Sequence, residues 1–372
     1  TVQLDATLPE GRCKIVVTTS NAKGESERAA TSLWIGKDAP ATVSGLSLKR
    51  TLDKGLQLRW DAVSTGAHNG YVDPASVTYK VVRQPDAKTV SESTTATVLY
   101  DNVESGELAK YWYEVTPSAY GKSGETLASN KVVVGPGKAT PYSENFEKQE
   151  TFDYFTVLDA NNDSKTWSYN EYSQTAEYAG DATVKADDWL ILPPLKLNKS
   201  GYYKVTFNVR CNSQNKHLLA VALGNLPEAE NMTTSVMPAT EFSTLFETQK
   251  VEAKFLVPSD GDYYLGFHLL SDALMHSFEI QDISVEQYTT IDTPAAVADL
   301  AVKPAAKGEL KSEISFTLPS KTIGGAAVGT LTTAEVYRDG TVLKSFANSD
   351  ETLQSGKKLT LTDSQPQNGF NT

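Results

Sequence analysis

Histidine, methionine and cysteine are scarce in this chain of 372 residues, at four, three and two copies. Each shortage removes a class of chemistry. With only His68, His217, His268 and His276, histidine-based catalysis and zinc ligation have little to draw on. Cys13 and Cys211 stand far apart, so they build neither a disulfide framework nor a CxxC metal motif, and two free thiols buried on strands are expected. No apolar run reaches the ~18–20 residues of a membrane-spanning helix. Positive charge is in deficit as well: 34 Lys and Arg against 46 Asp and Glu leave a net charge of −12. Nucleic acid and anionic membrane are therefore poor main partners, because phosphate binding needs clustered positive charge. No segment holds apolar residues at i, i+3, i+4 and i+7 over three turns, and the nearest, 238–249, is short and threonine-rich.

What is present is strand. Short alternating runs such as Leu56-Gln57-Leu58-Arg59-Trp60, Tyr203-Lys204-Val205-Thr206-Phe207 and Tyr263-Tyr264-Leu265-Gly266-Phe267 recur between Gly, Pro, Asn and Ser clusters. Period-2 patterning with turn signals every ~8–12 residues predicts β-sandwiches. Hydrophobic residues at 40% suffice to fill their cores without disulfides. The expected fold class is all-β.

Proline-bearing seams divide the chain at 37–43, 135–141 and 289–297, and similar phrases follow the first and last: Val43-Ser44-Gly45-Leu46-Ser47-Leu48 and Val297-Ala298-Asp299-Leu300-Ala301-Val302. Between the first two seams come Leu56-x-Leu58-x-Trp60, Tyr79-x-Val81-x-Arg83, Tyr113-x-Val115-x-Pro117 and Gly121-x-Ser123. That series resembles a fibronectin type III domain, with Trp60 as the anchor between sheets. Ile314-x-Phe316 and Val336-Tyr337-Arg338-Asp339-Gly340 repeat its front half, Arg338-Asp339-Gly340 being a hairpin turn, and the series stops at Gly369-Phe370-Asn371-Thr372. Ile15-x-Val17-x-Thr19-x-Asn21-x-x-Gly24-x-Ser26 resembles the last two strands of such a domain. The expected organisation is a back part over 1–38, a full module over 39–137, a different domain over 138–288 and a front part over 289–372. Head-to-tail association of copies is one expectation that follows; excision from a longer modular chain is the other.

The segment 138–288 opens on Tyr142-Ser143-Glu144-Asn145-Phe146-Glu147. It continues through Leu158-Asp159-Ala160-Asn161-Asn162-Asp163 and Asp187-Asp188-Trp189-Leu190-Ile191-Leu192-Pro193-Pro194-Leu195, and closes on Phe278-x-Ile280-x-Asp282-Ile283-x-Val285. This order resembles the cleaved-adhesin or choice-of-anchor J family. The resemblance implies a jelly-roll sandwich of the kind found in surface proteins of anaerobic bacteria.

Enzyme signatures are absent. Gly121-Lys122-Ser123 imitates the end of a phosphate-binding loop, but Thr116 stands where that loop needs glycine. Calcium is the better chemical candidate, since hard cations take oxygen ligands from clustered acids and amides. Asp159-x-Asn161-x-Asp163 has the alternate spacing, though Ser164 and Asn170 rule out an EF-hand. The jelly-roll resemblance adds a second set: Glu147 and Asp282 on adjoining first and last strands, with Asp187 and Asp188 reaching the same end around a structural Ca2+. The bland alternative is that these acids cap turns. Trp167, Tyr169, Tyr172 and Tyr178 form an aromatic cluster, read either as a binding surface for sugars or peptides or as a core plug with strand-lining tyrosines. Trp34, Trp60, Trp112 and Trp189 sit in strand contexts and are expected in cores.

The expected role is a non-catalytic, secreted or surface-attached adhesion protein. Its jelly roll would bind a host protein or glycan, with the fibronectin modules as spacers. The alternative is the carbohydrate-binding and spacer portion of a larger exported hydrolase. Any signal or anchor is expected to lie outside this sequence.

Overall fold

The computed structural model describes residues 9–53, 55–181, 183–211, 216–273, 276–338, 341–347 and 353–364. Their regular structure is almost wholly strand, as the alternation requires. At the front, β1 (Gly11–Val17) pairs antiparallel with β4 (Ala29–Ile35), Gly11 opposite Ile35 and Val17 opposite Ala29, with the small hairpin of β2 (Ser20–Asn21) and β3 (Gly24–Glu25) between them. Cys13 on this ribbon is half-buried, so only Cys211 is the buried thiol expected of both; both are free. Trp34 is likewise no core residue: its ring lies flat on the His68 imidazole, centroids 4.2 Å apart.

Residues 43–134 share one core. A three-stranded sheet, β5 (Ser47–Arg50), β6 (Leu56–Arg59) and β9 (Val98–Asp101), covers a six-stranded one. The latter holds β7 (Thr78–Gln84), β8 (Lys88–Thr94) and β10 (Ala109–Ala119), while β11 (Lys122–Ser123), β12 (Leu127–Ala128) and β13 (Val132–Val134) all pair with β10. Alternate residues Leu56, Leu58, Tyr79, Val81, Tyr113 and Val115 fill the gap. Trp60 closes it, 2% exposed, edge-on to Tyr79 at 5.3 Å. Arg83 Nη1 and the Tyr113 hydroxyl both donate to Asp101 Oδ2, at 2.8 Å each. Trp112 departs from its core assignment because it faces outward on β10, half-exposed beneath Lys131.

Residues 146–285 form a larger sandwich. One six-stranded sheet runs β16 (Trp167–Asn170), β17 (Thr175–Tyr178), β25 (Phe278–Thr290), β20 (Gly201–Cys211), β23 (Gln249–Phe255), with β14 (Tyr142–Glu144) also on β25. Facing it run β15 (Thr156–Asp159), β18 (Asp188–Ile191), β24 (Gly261–Leu269), β21 (His217–Gly224), β22 (Thr234–Phe242), with β19 (Leu195–Leu197) on β24. Along β20 the inward residues Tyr203, Val205, Phe207, Val209 and Cys211 are fully buried while their neighbours are only half-covered. β18 is buried at every position. Its Leu190 faces the core, whereas Trp189 and Ile191 on the other side pack with Leu158, Ala222, Ala229, Met232 and Tyr264. Burial on both faces explains the unbroken apolar phrase in the sequence.

The last unit pairs β26 (Ala298–Pro304), β27 (Ser312–Thr317) and β30 (Lys358–Asp363) in one sheet and β28 (Thr333–Arg338) with β29 (Thr341–Ala347) in another, around Ile314, Phe316, Leu331, Phe346 and Leu359. The expected turn residues Asp339 and Gly340, and the stretch Gly369-Phe370-Asn371-Thr372, lie outside the described residues.

The seams are tied down. Ala41 N donates to Thr65 O and Ala67 N to Ala39 O around Pro40; Ala295 N donates to Lys321 O and Ile323 N to Thr293 O around Pro294. Asp38, wholly buried, accepts from His68 Nδ1 at 2.8 Å and from the N–H groups of Ala39, His68 and Gly70. Lys138 N donates to Pro194 O and Lys196 N to Lys138 O, holding the middle seam to the large sandwich. Gly137 has no room for a Cβ there, which would stand 2.8 Å from Lys196 N.

Trp60→Ala should destabilise the unit built on this core by about 3–5 kcal/mol. Trp60→Phe should cost distinctly less, because it also removes an indole N–H that is buried without a partner. Denaturant unfolding followed by tryptophan fluorescence checks both, and a loss under ~1 kcal/mol for the alanine variant would contradict this account of the core.

Candidate functional site

The two outer faces of the large sandwich differ. The β18–β24–β21 face is closed: Trp189 lies flat on His268 at 4.0 Å, and Gly266 leaves it room, since a Cβ there would stand 2.9 Å from the ring. His268 Nε2 is held by Asp187 Oδ1 at 2.6 Å. Over this face the neighbouring unit contributes Arg50, 5.9 Å from the Tyr264 ring, and Lys49, 3.6 Å from Glu228 and 3.5 Å from Glu230.

The opposite face is open and polar. Pairing of β20 with β25 sets Lys204 across from Glu286, Thr206 from Ser284, Asn208 from Gln281 and Arg210 from Glu279; β17 adds Glu177 beside Glu279. Glu279 is buried, taking hydrogen bonds from Arg210 Nε at 3.1 Å and Nη2 at 2.7 Å. Asn170 Nδ2 donates to Glu177 Oε2 at 2.6 Å. The register slips between Thr206 and Asn208, and at this bulge Asp282 takes a left-handed φ of 51°, with its Oδ2 accepting from Asn208 Nδ2 at 2.9 Å. A bulge with a non-glycine residue at positive φ re-aims a side chain at a local cost, which is how functional faces are commonly built. One end of the ladder carries Tyr288, half-exposed, edge-on to Tyr202 and flanked by Lys254 at 4.2 Å and Lys204 at 5.3 Å.

Of the two readings of the aromatic cluster, the core plug is the one that Trp167 and Tyr178 follow. Trp167 and Tyr178 are buried, because the inward parity of β16 and β17 drives both against Phe278 in the core. Tyr169 packs on Phe152. Tyr172 alone is fully exposed, at the β16–β17 turn.

The acids of both candidate calcium sets are engaged by other groups of the protein. Asp159 accepts from the N–H groups of Asp163 and Ser164, at 3.1 and 2.8 Å. Asp163 accepts from Lys165 N at 2.7 Å and Asn161 Nδ2 at 2.9 Å, so the loop's acids close its own turn. Asp187 faces outward to His268 while Asp188 shares the inward parity of Leu190. Glu147 lies in the loop after β14 and Asp282 on β25 of the other sheet, where they are taken up by Asn145 and Asn208. Among the described residues no three His, Cys, Asp or Glu converge where a metal could join them.

Asp188 is nonetheless unusual. It is wholly buried; Oδ2 accepts from Asp187 N, whereas Oδ1, the Tyr178 hydroxyl and Thr166 Oγ1 make no hydrogen bond of ordinary geometry. Burial pushes its pKa up to about 6 against the pull of Thr166 and the Asp187 N–H, and the charges of Asp159 and Asp163 add to the push. His217 is the counterpart: burial drives it down to about 4.

A carboxyl that holds its proton more tightly when folded loses stability as pH rises between about 4 and 6. Two pH units correspond to up to about 3 kcal/mol. A depressed histidine acts oppositely, losing stability as pH falls from its unfolded value of 6.5 toward about 4. Asp188→Asn should therefore raise the melting temperature at pH 7.5 and leave it unchanged near pH 4. His217→Gln should uncover the falling slope of Asp188 between these limits. Melting curves across pH check both; an Asp188→Asn protein that is less stable at pH 7.5 would mean that a counter-charge holds the carboxylate.

No known family's model matches the chain, and no curated protein matches it. Among solved structures, the K3 cleaved adhesin domain of Lys-gingipain from Porphyromonas gingivalis is 14% identical with a TM-score of 0.33, over 39% of this chain and 98% of that one. The C-terminal CBM6 of a marine laminarinase from Zobellia galactanivorans is 16% identical with a TM-score of 0.27, over 40% and 99%. The CBM22-1 xylan-binding domain of a Paenibacillus barcinonensis protein is 12% identical with a TM-score of 0.30, over 39% and 92%. Likenesses of this size leave the ligand to be read from the chain's own surface.

Proposed function

We propose that the chain is a non-catalytic binding protein working outside the cell. In this reading the open face of β17, β25 and β20 takes a glycan, and fibronectin-type units on either side of a cleaved-adhesin-type jelly roll act as spacers. The observation that carries it is the ordered polar ladder Glu177, Glu279, Arg210, Gln281, Asn208 and Asp282 ending at Tyr288. Sugars present vicinal hydroxyls that need paired donors and acceptors already in place, together with C–H faces that lie against an aromatic ring. Hydrogen bonds from Arg210 to Glu279, Asn208 to Asp282 and Asn170 to Glu177 fix most of this ladder before any ligand arrives, which lowers the ordering cost of binding. Protein partners favour a buried apolar and aromatic centre ringed by polar groups; this face has the reverse layout, with its tyrosines at one end.

An array of glycans and host matrix proteins probed with the full chain, followed by calorimetry on the strongest hit, tests the proposal. Tyr288→Ala and Asn208→Ala should each weaken binding about tenfold or more, while Tyr71→Ala on the 39–137 unit should not change it. Retention of a matrix protein but no glycan would overturn the ligand class, and variants that bind as the parent does would overturn the site.

A further inference from the structure

Beside the middle seam, where the 43–134 core unit meets the large sandwich, lies a cavity of about 360 Å³. That is toward the lower end of the range for small-molecule sites, which favour places where two units meet. Arg50 at the end of β5, Asp53 in the turn that follows, and Asn102 and Glu104 after β9 line it from one side, and Asp262 on β24 from the other. Val103, Val134 and Pro136 add an apolar wall. None of these residues belongs to the open β17–β25–β20 face.

Arg50 is the unusual member. Strand alternation sets it on the same side as Leu48, a position where an apolar residue is expected, and it is only 9% exposed. Its Nη1 donates to Val133 O at 3.0 Å, and the guanidinium lies 5.9 Å from the centre of the Tyr264 ring. Its Nε–H is buried without a partner, and among the described residues it makes no ion pair. A buried charged donor that lacks an acceptor is costly, so the site is complete only when an oxygen reaches it. The rest of the polar lining consists mainly of acceptors. Gly55 gives Asn102 and Asp53 room side by side, since a Cβ there would stand 2.8 Å from Asn102 Oδ1 and 3.5 Å from Asp53 Oδ1. The Thr51 hydroxyl, and after it the Gly55 N–H, hold the Asp53 pKa below the usual carboxylate value, so that Asp53 remains an acceptor.

We propose that this cavity is a second binding site, one that takes the neutral end residue of a glycan, with a hydroxyl oxygen accepting from Arg50 Nε and neighbouring hydroxyls donating to Asn102 and Asp53. A lone arginine would invite an anion, but here one guanidinium stands among three carboxylates, Asp53, Glu104 and Asp262, and that surplus repels a uronate or a sulfate. A sugar hydroxyl is both donor and acceptor, so a neutral ring answers the guanidinium and the carboxylates at once, and its C–H edges rest on the apolar wall. The cavity is too small for the interior of a chain, which is why it selects an end. It does not rest on the open face, and the two sites fail separately.

The test is to titrate the full chain with glucose, galactose, mannose and N-acetylglucosamine, each to about 50 mM, a range that covers millimolar affinities. The readout is the Arg50 Nε–H resonance in NMR, identified by its loss in Arg50→Lys. At least one of these sugars should shift it in a saturable way. Asn102→Ala, a change at an exposed side chain that does not threaten the fold, should weaken that binding about tenfold, and Tyr71→Ala should leave it unchanged. Glucuronate and the amino acid glycine, as charged controls, should shift the resonance less at equal concentration. No saturable shift with any of the sugars overturns the proposal, and so does an Asn102→Ala chain that binds as the parent does. A stronger response to glucuronate or glycine overturns the ligand class. Shifts confined to Asn208, Arg210 and Tyr288 would overturn the cavity while leaving the open face as the glycan site.

Discussion

Two sheets held about 10 Å apart leave a gap that only interlocking side chains can fill, and between residues 146 and 285 aromatic rings fill it. Phe207 meets Phe267 edge-on at 4.9 Å, and Trp167 and Tyr178 close one end with Phe278. Everything that faces solvent follows from that layer. Phe207 and Val209 must point inward, so Asn208 between them must point outward, and Arg210 follows two positions on. The polar ladder is the reverse side of the packing: an inward slip of one residue on β20 would bury the ladder and expose the core. The bulge at Asp282 is one of two places where the β20–β25 register slips, the other lying between Tyr202 and Tyr203 beside Tyr288.

Strand content and the burial of Trp60 were legible in the sequence because each is a matter of period and order. What the sequence left open were neighbours in space. The spacing Asp159-x-Asn161-x-Asp163 suggested ligands pointing to one centre, but a turn's own N–H groups reached the carboxylates first. For Trp167 and Tyr178 the sequence left a surface and a core plug both open, and their parity with Ala176 was the signal that they go inward. The ladder itself was overlooked because its members come from separate strands joined only by pairing. Its trace was present as the alternation Lys204, Thr206, Asn208, Arg210 against a wholly apolar partner set.

Histidine, rare in this chain, is spent largely on packing. Trp34–His68–Asp38 and Trp189–His268–Asp187 use the same arrangement: a carboxylate orients the imidazole, which then lies flat on an indole. For His268, burial depresses basicity while the Asp187 charge raises it, with burial the larger effect. The first stack locks a seam and the second closes an outer face, so both bear on how neighbouring units are held.

The paired hydrogen bonds around Pro40 and Pro294 have a mechanical consequence. A freely jointed connector lets a tethered binding face sweep a large volume, so a second attachment is found by diffusion and its strength falls off with linker length. Seams fastened to the loops they precede remove that freedom. The face proposed for a glycan would then be held at a fixed angle to the units beside it, and it would favour sugars displayed in the matching orientation over the same sugars displayed in any other.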